Sequence, residues 1–194
     1  MNAETTNLNN ASLIYYPNFL SPPLATKIYD QLLSLSSWKQ EPIKIFGKEI
    51  MQPRLTLLFG ETDMKYGYSG IKMETEPFPD FLRELKNDCE SVTNTSFNVC
   101  LANLYRDGSD SMGWHSDDEK ELGDKPVIAS ISLGEERMFH LKHKTNPEEK
   151  YKKRLQHGSL LIMQGSTQKF WKHQLPKTKK GIGPRINLTF RKIY

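Results

Sequence analysis

Apolar residues recur at helical spacing in two stretches of the chain. In SPPLATKIYDQLLSL, Leu24, Ile28, Leu32 and Leu35 fall on one face. Ser21 stands at the cap position and Pro22 in the first turn, where a missing N–H costs nothing. PDFLRELKNDCESV repeats the pattern with Phe81, Leu82, Leu85, Cys89 and Val92. Between the two, IKIFGKEIMQPRLTLLFG alternates apolar and polar, which predicts a hairpin turning at Phe46-Gly47. From Phe97 onward the period is two, with short strands expected at 97–105, 126–133, 137–144, 158–163, 168–174 and 184–193. HLKHKTNPEEKYKKR reads as a solvated hairpin, and His157 before Gly158 as a turn. No internal repeat or linker interrupts the series. The pattern predicts a mainly β, α+β fold: a double-stranded β-helix, or jelly-roll, core backed by two N-terminal helices. Residues 1–12 are expected to be a flexible arm. Residues 13–194 then form one domain, with helices, hairpin and lid in 13–95 and the core in 96–194.

The last strand, in PRINLTFRKIY, carries chemistry as well as pattern. Ile186, Leu188 and Phe190 form one face; Arg185, Asn187, Thr189 and Arg191 share the other. Two arginines, an amide and a hydroxyl in line present donors to an anion, and the planar fork of Arg takes a carboxylate bidentately. Such a strand spans roughly 20 Å, so arginines leaning inward can hold opposite ends of a small dicarboxylate. The competing reading is a solvated face of an edge strand. A motif upstream separates the two. In GWHSDDE, His115 and Asp117 are two apart and project to one side of an extended segment. Two histidines and a carboxylate are the ligand set of non-haem Fe(II) oxygenases. Among His140, His143, His157 and His173, the last is the best third ligand, because it lies in KFWKHQLP shortly before the arginine strand. A zinc hydrolase can also use such ligands, but it leaves the arginines without a role. Fe(II) with 2-oxoglutarate, a five-carbon dicarboxylate, gives both features one cause.

The net charge is +4, but residues 1–136 carry 12 Lys/Arg against 21 Asp/Glu, while residues 137–194 carry 15 against 2. Clustered cations gain by displacing counterions from phosphate, so a nucleic-acid partner is expected. Lys150, Lys152, Lys153 and Arg154 in one loop and Lys177, Lys179 and Lys180 in another point the same way; the alternative is a lysine-rich solubilising surface. Cys89 and Cys100 are too few for a disulfide framework. No apolar run approaches a membrane span, and the N-terminus lacks a signal pattern. An intracellular monomer is expected, cytoplasmic in a bacterium or nuclear in a eukaryote.

The order NLY (Asn103, Leu104, Tyr105), HSDDE, the late His173 and RINLTFR resembles the AlkB family of 2-oxoglutarate- and Fe(II)-dependent dioxygenases. The likeness is to members that reverse N-alkylation of nucleic-acid bases, and it covers roughly residues 40 to 194. PRLT, YGYSG, PVIASISLG and HGSLLIM add local matches. The resemblance implies the jelly-roll fold, an Fe(II) held by His115, Asp117 and His173, and O2 and 2-oxoglutarate as co-substrates. It implies oxidation of an N-methyl group in DNA or RNA, with release of formaldehyde, succinate and CO2. Arg185, helped by Tyr105, is expected at the distal carboxylate of 2-oxoglutarate, with Arg191 and Asn103 toward the iron and Asn187 and Thr189 between. Tyr66 and Tyr68, at alternate positions in a glycine-bearing segment, are expected to stack the extruded base, with Ser69 and Glu119 as polar contacts. Phe46 at a hairpin tip is a candidate wedge into a duplex, with Arg54 touching the opposite strand; the alternative for Phe46 is a packed core residue. Asp118 is expected to buttress Arg191. The rival readings are a 2-oxoglutarate-dependent hydroxylase of a protein or small molecule, and a non-catalytic binding module on the same fold.

Overall fold

The computed structural model describes residues 2–45, 48–61, 66–68 and 71–194. The chain opens on a hairpin of β1 (Glu4–Leu8) and β2 (Ala11–Tyr16), followed by helix α1 (Pro22–Leu33). The hairpin β3 (Pro42–Ile45) and β4 (Lys48–Met51) leads into β5 (Leu55–Gly60), then β6 (Tyr66–Tyr68), β7 (Ile71–Met73) and the short β8 (Glu76–Pro77). Helix α2 (Asp80–Thr93) precedes β9 (Val99–Tyr105), β10 (Met112–His115), β11 (Ile128–Gly134), β12 (Arg137–His143), β13 (Lys150–Leu155) and β14 (Ser159–Gln164). A single helical turn, α3 (Thr167–Phe170), then introduces β15 (Trp171–Leu175) and β16 (Arg185–Arg191). Eight strands form one sheet in the order β1-β2-β14-β11-β16-β9-β5-β8, and four form a second in the order β10-β15-β12-β13. Two sheets of mainly antiparallel strands, non-consecutive neighbours side by side, are the jelly-roll arrangement.

Alternation along the strands feeds three apolar clusters among the described residues, two of them large. Leu57 and Phe59 of β5, Ala102 and Leu104 of β9, Ile131 and Leu133 of β11, and Ile186, Leu188 and Phe190 of β16 pack against Ala25, Ile28 and Leu32 of α1 and Leu82, Leu85 and Cys89 of α2. The opposite face meets the second sheet: Leu13, Tyr15, Leu161 and Met163 pack on Leu141, Leu155 and Trp171. Because β16 is an inner strand of the large sheet, its apolar side is buried on helices and its polar side is buried between sheets. Leu24 is exposed instead of lying on the buried face of α1, and Ser21 makes no side-chain cap bond.

Three local expectations are corrected. Residues 4–8 are not a loose arm: Glu4 pairs with Tyr15 and Leu8 with Ala11. The Trp171 indole N–H donates to the Asn9 carbonyl at 2.7 Å, and Asn9 Nδ2 donates to Glu149. The segment looks patternless because an edge strand buries little of either face; Thr6 and Leu8 alone are half-buried. The strand expected at 168–174 begins as the helical turn α3, so Trp171 is its first extended residue. The basic run 150–154 is strand β13 rather than a loop, with Tyr151 and Lys153 turned toward β2 and β1. No helix among the described residues is long and apolar enough to cross a membrane.

Removing residues 2–9 should therefore lower the melting temperature by about 4–8 °C, the equivalent of about 2 kcal/mol for a chain of this size. A thermal melt that did not move would mark the segment as the loose arm its composition suggests.

Candidate active site

Strand β10 bulges between Met112 and His115, which turns His115 inward opposite His173 on β15. The two rings meet edge-on with centroids 4.2 Å apart. His115 Nδ1 lies 2.8 Å from the Gly113 carbonyl, which can only accept, so this nitrogen carries the proton and Nε2 offers a lone pair. Asp117 follows on the loop after β10, its backbone N–H held by the Gln168 side chain at 3.0 Å. Its carboxylate oxygens lie 3.9 Å from Nε2 of His115 and 3.9 Å from Nε2 of His173. One ligand atom from each of the three residues fits within a 4.8 Å cluster.

Charge is arranged to match. Arg191 donates to Asp117 Oδ1 at 2.9 Å, with both side chains buried. Burial pushes the Asp117 carboxyl up, but Arg191 and the two imidazoles outweigh it and hold the group below the usual carboxylate range. Burial carries His173 down to about 3, with His115 adding to the effect. Burial also lowers His115, against the pull of Asp117. Two neutral imidazoles and an ionised carboxylate therefore face one point, which is the protonation state a divalent cation requires.

The inner face of β16 continues the cavity, which Asn103 and Tyr105 of β9 also line. Arg185 is 2% exposed and donates to Ser132 Oγ at 2.8 Å; its Nε has no hydrogen-bond partner among the described residues. Its guanidinium lies 5.5 Å from the Tyr105 ring centre. Burial lowers its pKa to about 10, so the group stays charged at neutral pH with a buried donor to spare. A carboxylate is the ligand that meets both conditions. Asn187 Nδ2 donates to Ser130 Oγ and the Ile131 carbonyl, and Thr189 Oγ1 donates to Asn187 Oδ1 at 3.2 Å. Leu101, Met112, Phe139, Leu155, Met163 and Leu175 fill the remaining wall. A metal held by the triad and a dicarboxylate held by Arg185 both fit the donors present.

The outer residues divide. Arg54 is buried and donates to Asn103 Oδ1 at 2.7 Å, so it supports the cavity from behind instead of reaching an opposite strand. Asp118 pairs with Lys144 at 3.0 Å on the surface; Asp117 is the partner of Arg191. Glu119 is half-buried, its Oε2 is buried with no partner among the described residues, and burial followed by Asp117 raises its pKa. Tyr66 and Tyr68 occupy alternate backbone positions of β6, while Phe46 and Ser69 lie outside the described residues. The remaining histidines are elsewhere: His157 accepts the Gly134 N–H, His143 accepts from the 145–146 turn, and His140 belongs to the outward-facing set of β12. Two contributors carry no sequence signal. Gln168 orients Asp117 from across 51 residues of chain. Arg137, also buried, donates to the carbonyls of Asp107, Asp110 and Pro176 and ties the two loops at the Arg185 end of the cavity together.

Comparison with known proteins agrees with this geometry. The model of the 2OG-Fe(II) oxygenase superfamily matches residues 12–191. The chain is 44% identical over 188 residues to human "Alpha-ketoglutarate-dependent dioxygenase alkB homolog 3", covering 92% of this chain and 65% of that protein. It is 36% identical over 217 residues to "DNA oxidative demethylase ALKBH2" of Arabidopsis thaliana, covering 98% and 69%. The chain thus spans 65% of the length of the bovine and human alkB homolog 3 proteins. The solved structure of OsALKBH1 shares the fold, with a TM-score of 0.70 over 97% of this chain and all of that one, at 19% identity.

Arg191→Met should leave Asp117 buried without its counter-charge and destabilise the metal-free protein by about 3–5 kcal/mol in denaturant unfolding. Added divalent metal should recover part of the loss, since a cation at the triad meets the same carboxylate.

Proposed function

Because the chain belongs to the AlkB family within the 2OG-Fe(II) oxygenase superfamily, we propose that it removes N-linked methyl groups from the bases of DNA or RNA. One observation carries this reading: the His115, Asp117, His173 cluster and the buried Arg185 open onto a single cavity between the sheets, the two helices closing the far side of the large sheet. His115, Asp117 and His173 would hold Fe(II). When bound, the iron supplies oxidising chemistry, in which O2 and 2-oxoglutarate give succinate and CO2 and one oxygen atom enters the N-methyl group, which leaves as formaldehyde.

The chain's own residues prepare that step. Arg185 takes the distal carboxylate with its spare Nε–H, and Ser132 fixes the fork from the other side. Arg191 pins one Asp117 oxygen and keeps the carboxylate ionised in a dry wall. Asn103, held by Arg54, stands opposite Asn187, closer to Arg185 than to Arg191, with Asn187 and Thr189 between the two arginines. Apolar residues around the triad keep bulk water from the reacting groups. On the substrate side, Tyr66 and Tyr68 are proposed to stack the extruded base, with Ser69 and Glu119 at its edge and Phe46 as a wedge needed only for a duplex. The buried Oε2 of Glu119, without a partner among the described residues, supports this, because it leaves an acceptor for a donor on the base edge.

Formaldehyde should be released from N-methylated single-stranded DNA, duplex DNA or RNA in the presence of Fe(II) and 2-oxoglutarate, and His173→Ala should abolish it while leaving the circular dichroism spectrum unchanged. Succinate formation with no formaldehyde from any of the three would favour a protein or small-molecule hydroxylase.

Arg185→Lys should raise the KM for 2-oxoglutarate about tenfold or more, because a point charge cannot reproduce a two-point contact. An unchanged saturation curve would remove Arg185 from the co-substrate site.

A further inference from the structure

Five cations of the C-terminal third are gathered on one surface. Along the four-stranded sheet, Leu141, Tyr151, Leu155 and Trp171 turn inward to the second core. Alternation then sends Lys142, Lys150, Lys152, Arg154 and Lys172 outward. Pairing sets them side by side: Lys142 stands opposite Lys150 on one flank and Lys172 on the other, and His140 stands opposite Lys152. None of the four strands contains an Asp or Glu. Like charges directly opposite destabilise a sheet, so this face keeps a repulsion that a polyanion would relieve. Arg154 is the exception, since Glu136 lies 3.7 Å from it at the border.

A large ring completes the surface. Trp114 on the edge strand β10 is 37% exposed. The ammonium of Lys142 lies 4.4 Å from its ring centre, which places the indole on the outward face with the lysines. Its neighbour His115 turns the other way, into the cavity. Cations beside an exposed aromatic, one residue from the metal cluster, match the two demands of a single strand: neutralised phosphates and a flat partner for an unpaired base.

We propose that the outer face of β10-β15-β12-β13 holds the segment of single-stranded nucleic acid that flanks the nucleotide in the cavity, with Lys142, Lys152 and Lys172 on phosphates and Trp114 stacked on a base. The face is four strands wide, about 15 Å, enough for a few nucleotides. The proposal rests on the nucleic-acid reading above. A single strand is the occupant because a duplex already stacks both faces of its bases and leaves Trp114 no partner.

The test is fluorescence anisotropy of a labelled, unmethylated 15-nucleotide DNA strand across a salt series, beside formaldehyde release from methylated strands. Lys142→Gln/Lys152→Gln/Lys172→Gln should weaken strand binding about tenfold or more. It should also flatten the plot of log affinity against log salt by about 2, each neutralised phosphate contributing about 0.7. The variant should melt no lower than the native protein, and a methylated trinucleotide, too short to reach the face, should keep its turnover. Trp114→Leu should weaken binding with the salt slope unchanged and remove the quenching of tryptophan fluorescence by the strand. Unchanged affinity and slope in the triple variant, or no strand binding by the native protein, would overturn the proposal even if formaldehyde is released. An equal loss on blunt duplex would overturn the single-strand assignment. Weakened strand binding without formaldehyde from any nucleic acid would leave the face in place and sink the demethylase reading instead.

Discussion

Two guanidinium groups are buried on the inner face of β16, and each has to meet an anion there. Arg191 meets Asp117, at 2.9 Å. Arg185 finds a serine hydroxyl, an aromatic face and no carboxylate among the described residues, although burial already lowers its pKa to about 10. Buried cations are costly unless paired. The strand is tolerated because its other face, Ile186, Leu188 and Phe190, anchors the main core against both helices. One strand therefore joins the main core to two buried charges.

The same constraint orders the metal cluster. Asp117 must be ionised to serve as a ligand, yet it sits in a wall where burial favours the protonated form. Arg191 reverses that preference and also fixes where the carboxylate points. The imidazoles need the opposite treatment, and burial, with the nearby Arg191 adding to it, supplies that by holding them neutral. Placing one carboxylate, one guanidinium and two imidazoles in a dry interior thus sets every protonation state from geometry, with Gln168 and the Gly113 carbonyl fixing the orientations.

The two faces of the small sheet carry different chemistry. Inward residues of β10 and β15 carry His115 and His173, while outward residues of the four strands carry lysines and Trp114. Because the side-chain period of a strand is two, a ligand and a surface contact sit one residue apart without interfering. The large sheet supplies the buried Arg185 and Arg191, so groups from both sheets line one cavity.

Residues whose meaning lies in local period or in a charge type were legible in the sequence. The alternation of Arg185, Asn187, Thr189 and Arg191 with an apolar partner face follows from strand geometry alone, and so does the pairing of His115 with Asp117 on one side. The choice of His173 needed only its place beside that strand. What the sequence could not decide was which neighbour each polar group meets. Asp117 and Asp118 are adjacent carboxylates, and only the turn after the β10 bulge sends the first to Arg191 and the second to Lys144. Arg54 reads as a surface contact until β5 pairs with β9 and sets it against Asn103. Residues 4–8 look patternless because an edge strand buries little, and their order comes from β2 and from Trp171, more than 160 residues away. Periodicity is a property of the chain and can be read along it; the partner of a buried charge is a property of the packed sheets and exists only once they close.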